Sequence, residues 1–345
     1  MRRLALVFAV LLALAVIVLV AVRIPAVQDQ LLARALAAGF AAPAKAAPEG
    51  GMRVVMCGTS SPLPHPERAQ ACVAVLVDDR MFIVDAGAGS AGVSTLLGLP
   101  LHQLTTAFVT HYHSDHIAAL PDFALISWVR GRPAPLEIVG PPGITRVVEG
   151  MNRAYTLDRS YRVAHHGAEL LPPELADMVA RTIEAGVVYE EDGLVVRAFP
   201  VDHSPVSPAF AYRFEYGGRS VVVSGDTVAD DLLAEASQGA DLLLTDALSM
   251  PIVQGMERAA RDAGRNRNAK IFADIQDYHA DVADLGTLAE RAGVNTLALY
   301  HLVPAPRNAI MESVFRRGLP DDAFLTDDGM TFDLLPGSDT VIVGD

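Results

Sequence analysis

The sequence predicts an α+β chain, with helices covering the faces of β-sheets and an apolar helix standing ahead of the folded body. Three observations lead there. Residues 4–22 form an uninterrupted apolar run between arginines. Short β-branched and aliphatic runs, bounded by turn residues, recur from Arg53 to Val109 and from Val187 to Val223. Beyond residue 229 helical and strand patterns alternate, which argues for helices laid on sheet faces. A chain of 345 residues can hold one large domain of this kind or two small ones; no internal repeat and no second-domain boundary is visible.

The apolar run Leu4 to Val22 follows Arg2 and Arg3 and precedes Arg23. A bilayer needs roughly 20 apolar residues as helix, so residues 1–23 read as a transmembrane helix. A cleaved signal peptide is the alternative, which would leave a secreted body. The small-residue site Ala44-Lys45-Ala46 lies far beyond the apolar core, which favours an uncleaved anchor. The paired arginines then stay cytoplasmic. The expectation is a single pass through the inner membrane, with the body in the periplasm or outside. Residues 24–51 read as a juxtamembrane helix, with a partial apolar stripe of Leu31, Leu32, Leu36 and Phe40, followed by an Ala/Pro linker. Residues 52–345 form the body.

Charge separates along the chain. Residues 1–47 hold five of the 27 bases and one of the 41 acids, so the body carries 22 bases against 40 acids, a net −18. Nucleic-acid affinity rests on neutralising phosphates with Lys and Arg, so no nucleic-acid partner is expected on this ground. The two cysteines, Cys57 and Cys72, flank the loop GTSSPLPHPERAQA. In an exported body they could form a disulfide; two buried free thiols are the other reading.

Strand patterns at Arg53–Cys57, Cys72–Val77 and Met81–Val84 open the body. A short helix near Ala91–Leu97 and an apolar run Leu104–Val109 follow. Ala118–Arg130 is amphipathic, and Pro135–Val139 reads as a strand. Residues 143–185 read as a mostly helical insert carrying the adjacent His165 and His166, either a hydrogen-bonded pair or a substrate contact. Val187–Pro200 reads as a hairpin, and Ala209–Tyr216 and Arg219–Val223 as another, closed by Gly217-Gly218 in the tight turn that glycines suit. Helix 229–237, strand 241–245, helices 252–263 and 282–292, strand 295–300 and helix 307–317 complete the pattern.

The chemistry concentrates in residues 109–118, VTHYHSDHIA. In extended chain, residues two apart share a face, so His111 and His113 can reach one metal ion together. The chain then turns helical, which lets Asp115 and His116 aim at a second ion. Neutral imidazole and carboxylate are common ligands of zinc and similar divalent ions. Three histidines with an aspartate at this spacing exceed what capping a strand requires.

This run resembles the signature of the metallo-β-lactamase fold superfamily. The phrases FIVDAG with Asp85, FPVDHSPVSPAFAYRF with His203, VVVSGDT with Asp226 and LALYHLVP with His301 are similar to its remaining motifs, in order, across most of residues 52–335. The resemblance implies a four-layer αββα sandwich with ligands on loops at one edge. It assigns His111, His113 and His203 to one metal, Asp115, His116 and His301 to the other, and Asp226 as the bridge. Asp85 would brace the metal loop by hydrogen bonds. Two divalent ions are implied, with Zn²⁺ foremost and iron or manganese equally suited to the ligand chemistry. GTSSP, SGDT and DYHADVADLGTLAERAGV are similar to the ribonuclease Z and arylsulfatase branch. There the residue matching His279 assists the leaving group, and Asp246, in LLLTDALS, would be its partner. Asp115 counts among the catalytic groups as well as the metal donors.

What the resemblance implies is a hydrolase acting on ester bonds through a metal-bridging hydroxide. Ribonuclease Z carries a long arm between its third and fourth ligand motifs, whereas only 22 residues separate His203 from Asp226 here. With the acidic body and the apolar leader, this points to a small anionic substrate, a phosphodiester or sulfate ester. Two rival readings are a β-lactamase or lactonase of the same fold, and a retired enzyme scaffold serving as a binding protein. The sequence does not set the oligomeric state.

Overall fold

A computed structural model describes residues 2–41 and 44–344; Ala42 and Pro43 of the expected linker, Met1 and the last body residue, Asp345, lie outside the described residues. The chain divides into two units, residues 1–44 and 45–345. The first consists of α1 (Arg2–Ala21) and α2 (Pro25–Ala41). Among the described residues no single helix is long and apolar enough to cross a membrane. The segments Leu6–Ala21 and Pro25–Ala41 meet that test only as a pair, bent by 85°. The stripe residues Leu31, Leu32, Leu36 and Phe40 are all exposed.

The second unit is a sandwich of two sheets. The first sheet takes β1 (Met52–Gly58), β2 (Cys72–Val77), β3 (Arg80–Val84), β4 (Leu104–Phe108), β5 (Leu136–Gly140) and β6 (Met178–Thr182). The second takes β7 (Gly186–Glu191), β8 (Leu194–His203), β9 (Val206–Tyr216), β10 (Arg219–Val223), β11 (Leu242–Leu248), β12 (Thr296–Val303) and β13 (Phe324–Leu325). The chain then returns to the first sheet with β14 (Thr331–Leu334), antiparallel to β1, and β15 (Val341–Gly344) at its edge. The orders are β15-β14-β1-β2-β3-β4-β5-β6 and β13-β12-β11-β10-β9-β8-β7. Each sheet is antiparallel in one part and parallel in the other, the parallel runs being β3 to β6 and β10 to β13.

Helices close the outer faces. On the first sheet these are α3 (Ser90–Leu96), α4 (Ser114–Ile117), α5 (Leu120–Val129) and α6 (Ile144–Ala154), with α7 (Thr156–His166), which has no buried residue, beside α6. The second sheet is followed by α8 (Asp231–Ala236), α9 (Met250–Asp262), α10 (Asn266–Asp274), α11 (Val282–Ala292) and α12 (Ala309–Phe315). Three apolar clusters match the layers. Val54, Val75, Phe82, Phe108, Tyr212 and Phe214 meet between the sheets. Ile83, Leu104, Phe123 and Ile144 pack under the first helical layer, and Val222, Leu243, Leu285 and Leu299 under the second. The expected four-layer αββα arrangement is present. A strand buried on both faces reads as a continuous apolar run, and β2, wholly buried from Cys72 to Val77, does so.

Two local readings need correction. The mostly helical insert at 143–185 contains α6 and α7 but ends in β6, which pairs in parallel with β5. Its sequence MVART carries one apolar stripe at an edge, too short for the alternation to stand out. Helix α10 also falls where no element was expected. Its single fully buried residue, Ala269, gives it no apolar stripe to read.

Of the two readings of the cysteines, the disulfide is the one present: Cys57 on β1 and Cys72 on β2 are bonded, with Cα atoms 5.0 Å apart. They close a loop of 15 residues that feeds Ser61–Leu63 towards the site. In the chain-entropy view a loop of this size is worth about 3 kcal/mol. The Cys57→Ala/Cys72→Ala variant should therefore unfold at lower denaturant, with about that loss of stability. An unchanged midpoint in chemical unfolding would show that the cross-link contributes nothing.

Candidate metal centre

The candidate donors sit in or just beyond strands, or on the short helix α4, at one edge of the sandwich. β4 runs out at Phe108 and leads to His111 and His113, and α4 then presents Asp115 and His116. His203 ends β8, Asp226 follows β10, Asp246 lies in β11 and His301 in β12. The chain therefore gathers at one edge donors up to 190 positions apart, counted from His111 to His301. The Gly before Asp226 is required there. Gly225 has φ +64°, and a Cβ on it would stand 2.8 Å from Thr110 Cβ.

Two donor sets result. His111, His113, His203 and Asp226 form one, and Asp115, His116 and His301 another. Within each, one ligand atom per residue lies within 4.8 Å of all the others. His111 Nε2 stands 2.9 Å from His113 Nδ1, which is 3.3 Å from His203 Nε2. Asp115 Oδ2 is 3.0 Å from His301 Nε2 and 3.5 Å from His116 Nε2. Asp226 touches both sets: its Oδ2 is 3.8 Å from His111 Nε2 and from His203 Nε2, and 3.3 Å from His116 Nε2. Its Oδ1 is 3.2 Å from His301 Nδ1. Asp226, Asp246, His279 and His301 make a further overlapping group.

The polar groups behind the donors fix their orientation. Asp85, held at φ +62°, accepts from Thr110 N at 2.9 Å and from His116 Nδ1 at 2.7 Å. That leaves His116 Nε2 facing the centre. His203 Nδ1 donates to Tyr278 O at 2.9 Å, so its Nε2 faces inward. His301 is itself in the left-handed region, φ +44°. Backbone strain of this kind costs of the order of 1–3 kcal/mol and concentrates at functional sites.

The electrostatics fit a cation. Burial keeps His111 and His113 below the usual imidazole range and brings His203 down to about 4, so their lone pairs are free at neutral pH. Burial also opposes charge on His116 and His301, but the surrounding carboxylates together outweigh it and raise both, Asp226 with Asp85 at His116 and Asp226 with Asp115 at His301. Asp226 stays ionised well below the ordinary carboxylate range, because His116 and His301 overcome the cost of its burial. His116 Nε2, His301 Nδ1 and Asp226 Oδ1 are buried without a hydrogen-bond partner. Orphaned buried polar atoms are costly, and ring nitrogens that face one another across 2.9 Å can hold at most one proton between them. Divalent cations among these donors would satisfy both conditions, and the imidazole and carboxylate set suits zinc, iron or manganese.

His279 joins this arrangement from the cleft side. Its Nδ1 lies 2.8 Å from Asp246 Oδ2 and 4.0 Å from Asp226 Oδ2. Burial holds His279 down at about 4, while burial and the nearby Asp226 push Asp246 well up. The pair holds one proton at Nδ1, and Nε2 remains for the cleft. By contrast His165 and His166, exposed at the end of α7 with rings 4.8 Å apart, line neither part of the cleft. Sequence reasoning missed Tyr278, which holds His203 and walls the cleft, and Ile271 and Ile275, which line it. Tyr278 is adjacent to His279, and that adjacency was the one available signal.

The Beta-lactamase superfamily domain matches residues 80–302. Ribonuclease Z of Mycobacterium bovis is 37% identical over 257 residues, covering 74% of this chain and 87% of the relative. Two solved structures share the fold. A metallo-β-lactamase fold protein from Bacillus subtilis has TM-score 0.57 and 18% identity, covering 81% of this chain and 98% of the other. The short form of human tRNase Z has TM-score 0.56 and 21% identity, with the same two coverages. These relatives overturn the expectation that nucleic acid is not a partner. That expectation weighed the net charge of the whole body, whereas charge beyond a Debye length of roughly 8 Å is screened, so the total says little about any one site.

Two outcomes test the site. Asp85→Ala, which removes the brace behind His116, should lower metal affinity about 10–100-fold, read by competition with a chelator; an unchanged affinity would remove Asp85 from the site. Ions entering at neutral pH must displace the protons that Asp226 holds on His116 and His301. Zinc titration at pH 7 should thus release about one to two protons, measured from the buffer dependence of the calorimetric heat, and affinity should weaken as pH falls. Zero release would mean these rings are already neutral.

The strand-end donors, the four-layer architecture and the match over residues 80–302 together place this chain in the metallo-β-lactamase fold superfamily, among the relatives of ribonuclease Z.

Proposed function

We propose that this chain is a metal-dependent phosphodiesterase whose substrate is an RNA phosphodiester, tethered to the inner membrane by residues 1–23 with its body outside the cytoplasm. The observation that carries the reading is Asp226, a buried carboxylate within 4 Å of donors from both sets. A lone structural ion would be closed off by four ligands; six donors around one shared carboxylate suit a pair. The ribonuclease Z relatives supply the substrate class. The apolar run of α1 and the Cys57–Cys72 disulfide, a bond typical of oxidising compartments, support export.

Two divalent ions bound there would offer positive charge to the phosphoryl oxygens and make water acidic enough to attack at neutral pH. The chain's residues do the rest. Asp226 and Asp115 supply negative charge against the mutual repulsion of two cations. The water gives up a proton to solvent as its oxygen bonds to phosphorus. As the bond to the leaving oxygen breaks, His279, having taken up a second proton on Nε2 beside the anionic substrate and Asp246, gives that proton to the leaving oxygen, which departs as an alcohol. Asp246, 2.8 Å from Nδ1, keeps the ring turned for this transfer. Leu63, Ile275 and Val303 line the cleft beside His279 and thin the water around the departing group.

The test compares two esters on the zinc-loaded full chain. His279→Ala should retain the wild-type metal content and lose about 10²–10⁴ in kcat on a short RNA. On bis(4-nitrophenyl) phosphate, whose leaving group needs little protonation, the loss should be much smaller. Equal losses on both esters would refute the general-acid role, and hydrolysis of neither by the wild type would refute the phosphodiesterase.

A further inference from the structure

The cleft has two lobes separated by Tyr278, and their linings differ. One lobe, with a volume of about 270 Å³, is walled by Pro62, Leu63, Ile271, Ile275 and Val303 and holds His279. The other, about 460 Å³, is lined by Ser204, Pro205, Val206, Asp274 and Asp277 beside His203. His113 and Tyr278 border both. Among the described residues neither lobe is lined by a lysine or arginine. Lys270 is nearby in sequence, but it pairs with Asp274 on the exposed face of α10. The buried, unpartnered Asp226 Oδ1 belongs to the first lobe's lining residue.

Resting on the phosphodiesterase reading, we propose that the linkage cut is the last one of a chain, with no further phosphate on the retained side. His279 orients the substrate. A group that protonates the leaving oxygen must stand beside it, so the leaving group enters the apolar lobe, where a base or ring is seated between Leu63 and Ile271. The retained group then occupies the other lobe. A second phosphate there would meet the carboxylates of Asp274 and Asp277; the cation beside them, Lys270, is already paired with Asp274, and among the described residues no lysine or arginine lines the lobe to receive it. Continued polynucleotide normally requires such a cation for every phosphate held. The centre thus grips a single phosphodiester, and the acidic lobe measures the end of the strand.

The experiment uses the zinc-loaded full chain and two substrates that share a leaving group: thymidine 5′-(4-nitrophenyl phosphate), and the same ester bearing a 3′-phosphate. At low salt the added phosphate should lower kcat/KM at least tenfold, and Asp274→Asn/Asp277→Asn should narrow the ratio to less than threefold. Calorimetry with thymidine 5′-phosphate and thymidine 3′,5′-bisphosphate reads the same preference without turnover, the bisphosphate binding more weakly. Equal kcat/KM for the two esters, equal affinity for the two nucleotides, or a ratio untouched by the double substitution would overturn the assignment. If neither ester is hydrolysed but the bisphosphate still binds more weakly, the phosphodiesterase reading fails and the selectivity of the lobe stands.

Discussion

A carboxylate buried where it cannot be hydrated dominates this molecule. Asp226 is 2% exposed, and taking such a charge out of water costs several kcal/mol unless opposite charge replaces the lost hydration. The sandwich answers by turning imidazoles towards it from β4, β8 and β12 and from α4. With cations present, these rings become neutral ligands; without them, protons on His116 and His301 stand in. The two occupancies use one set of side chains. The buried polar cluster that would otherwise burden the fold is therefore the same object that invites metal.

Holding that cluster requires backbone that ordinary elements do not supply. Strand ends bring each donor to the edge, but the last step to the centre is made in unusual conformations: Asp85 and His301 at positive φ, and Gly225 where no side chain fits. Contacts between the sheets and within the second one pin these segments. Tyr212 donates to Val109 O at 2.8 Å, Phe210 N donates to Thr110 O, and Gly225 N donates to Tyr300 Oη. The aromatic core between the sheets is thus mechanically continuous with the site. Its phenol groups reach out of the apolar layer to fasten the loops that carry His111 and Asp226.

Legibility in the sequence followed physical locality. His111, His113, Asp115 and His116 lie within six positions, so their chemistry is written in one short segment. His203, Asp226 and His301 are readable only because each follows a β-branched or aliphatic run that ends in a polar residue. The fold was legible for the same reason, since fully buried strands such as β2 leave unbroken apolar runs. Elements with one shallow contact face were not: β6 has a single buried residue, Met178, and α10 only Ala269. Yet α10 shapes the cleft through Ile271 and Ile275. The walls of a site are drawn from marginally buried residues, which carry the weakest pattern, while its donors carry the strongest.

The same distinction explains why net charge misled. A body at −18 argues against a long basic track for nucleic acid, but not against catalysis on a single phosphodiester. Cations held by Asp226 and Asp115 would place positive charge within a bond length or two of the phosphoryl oxygens, whereas a surface acid more than roughly 8 Å away is screened. On the proposed reading, acidic residues outside the donor set would act on what extends past that phosphate. Asp274 and Asp277 are exposed, and an exposed pair such as Asp274 with Lys270 adds little to stability. If metal supplies the grip of the cleft, the protein's own charges would be left to decide which phosphates stay out.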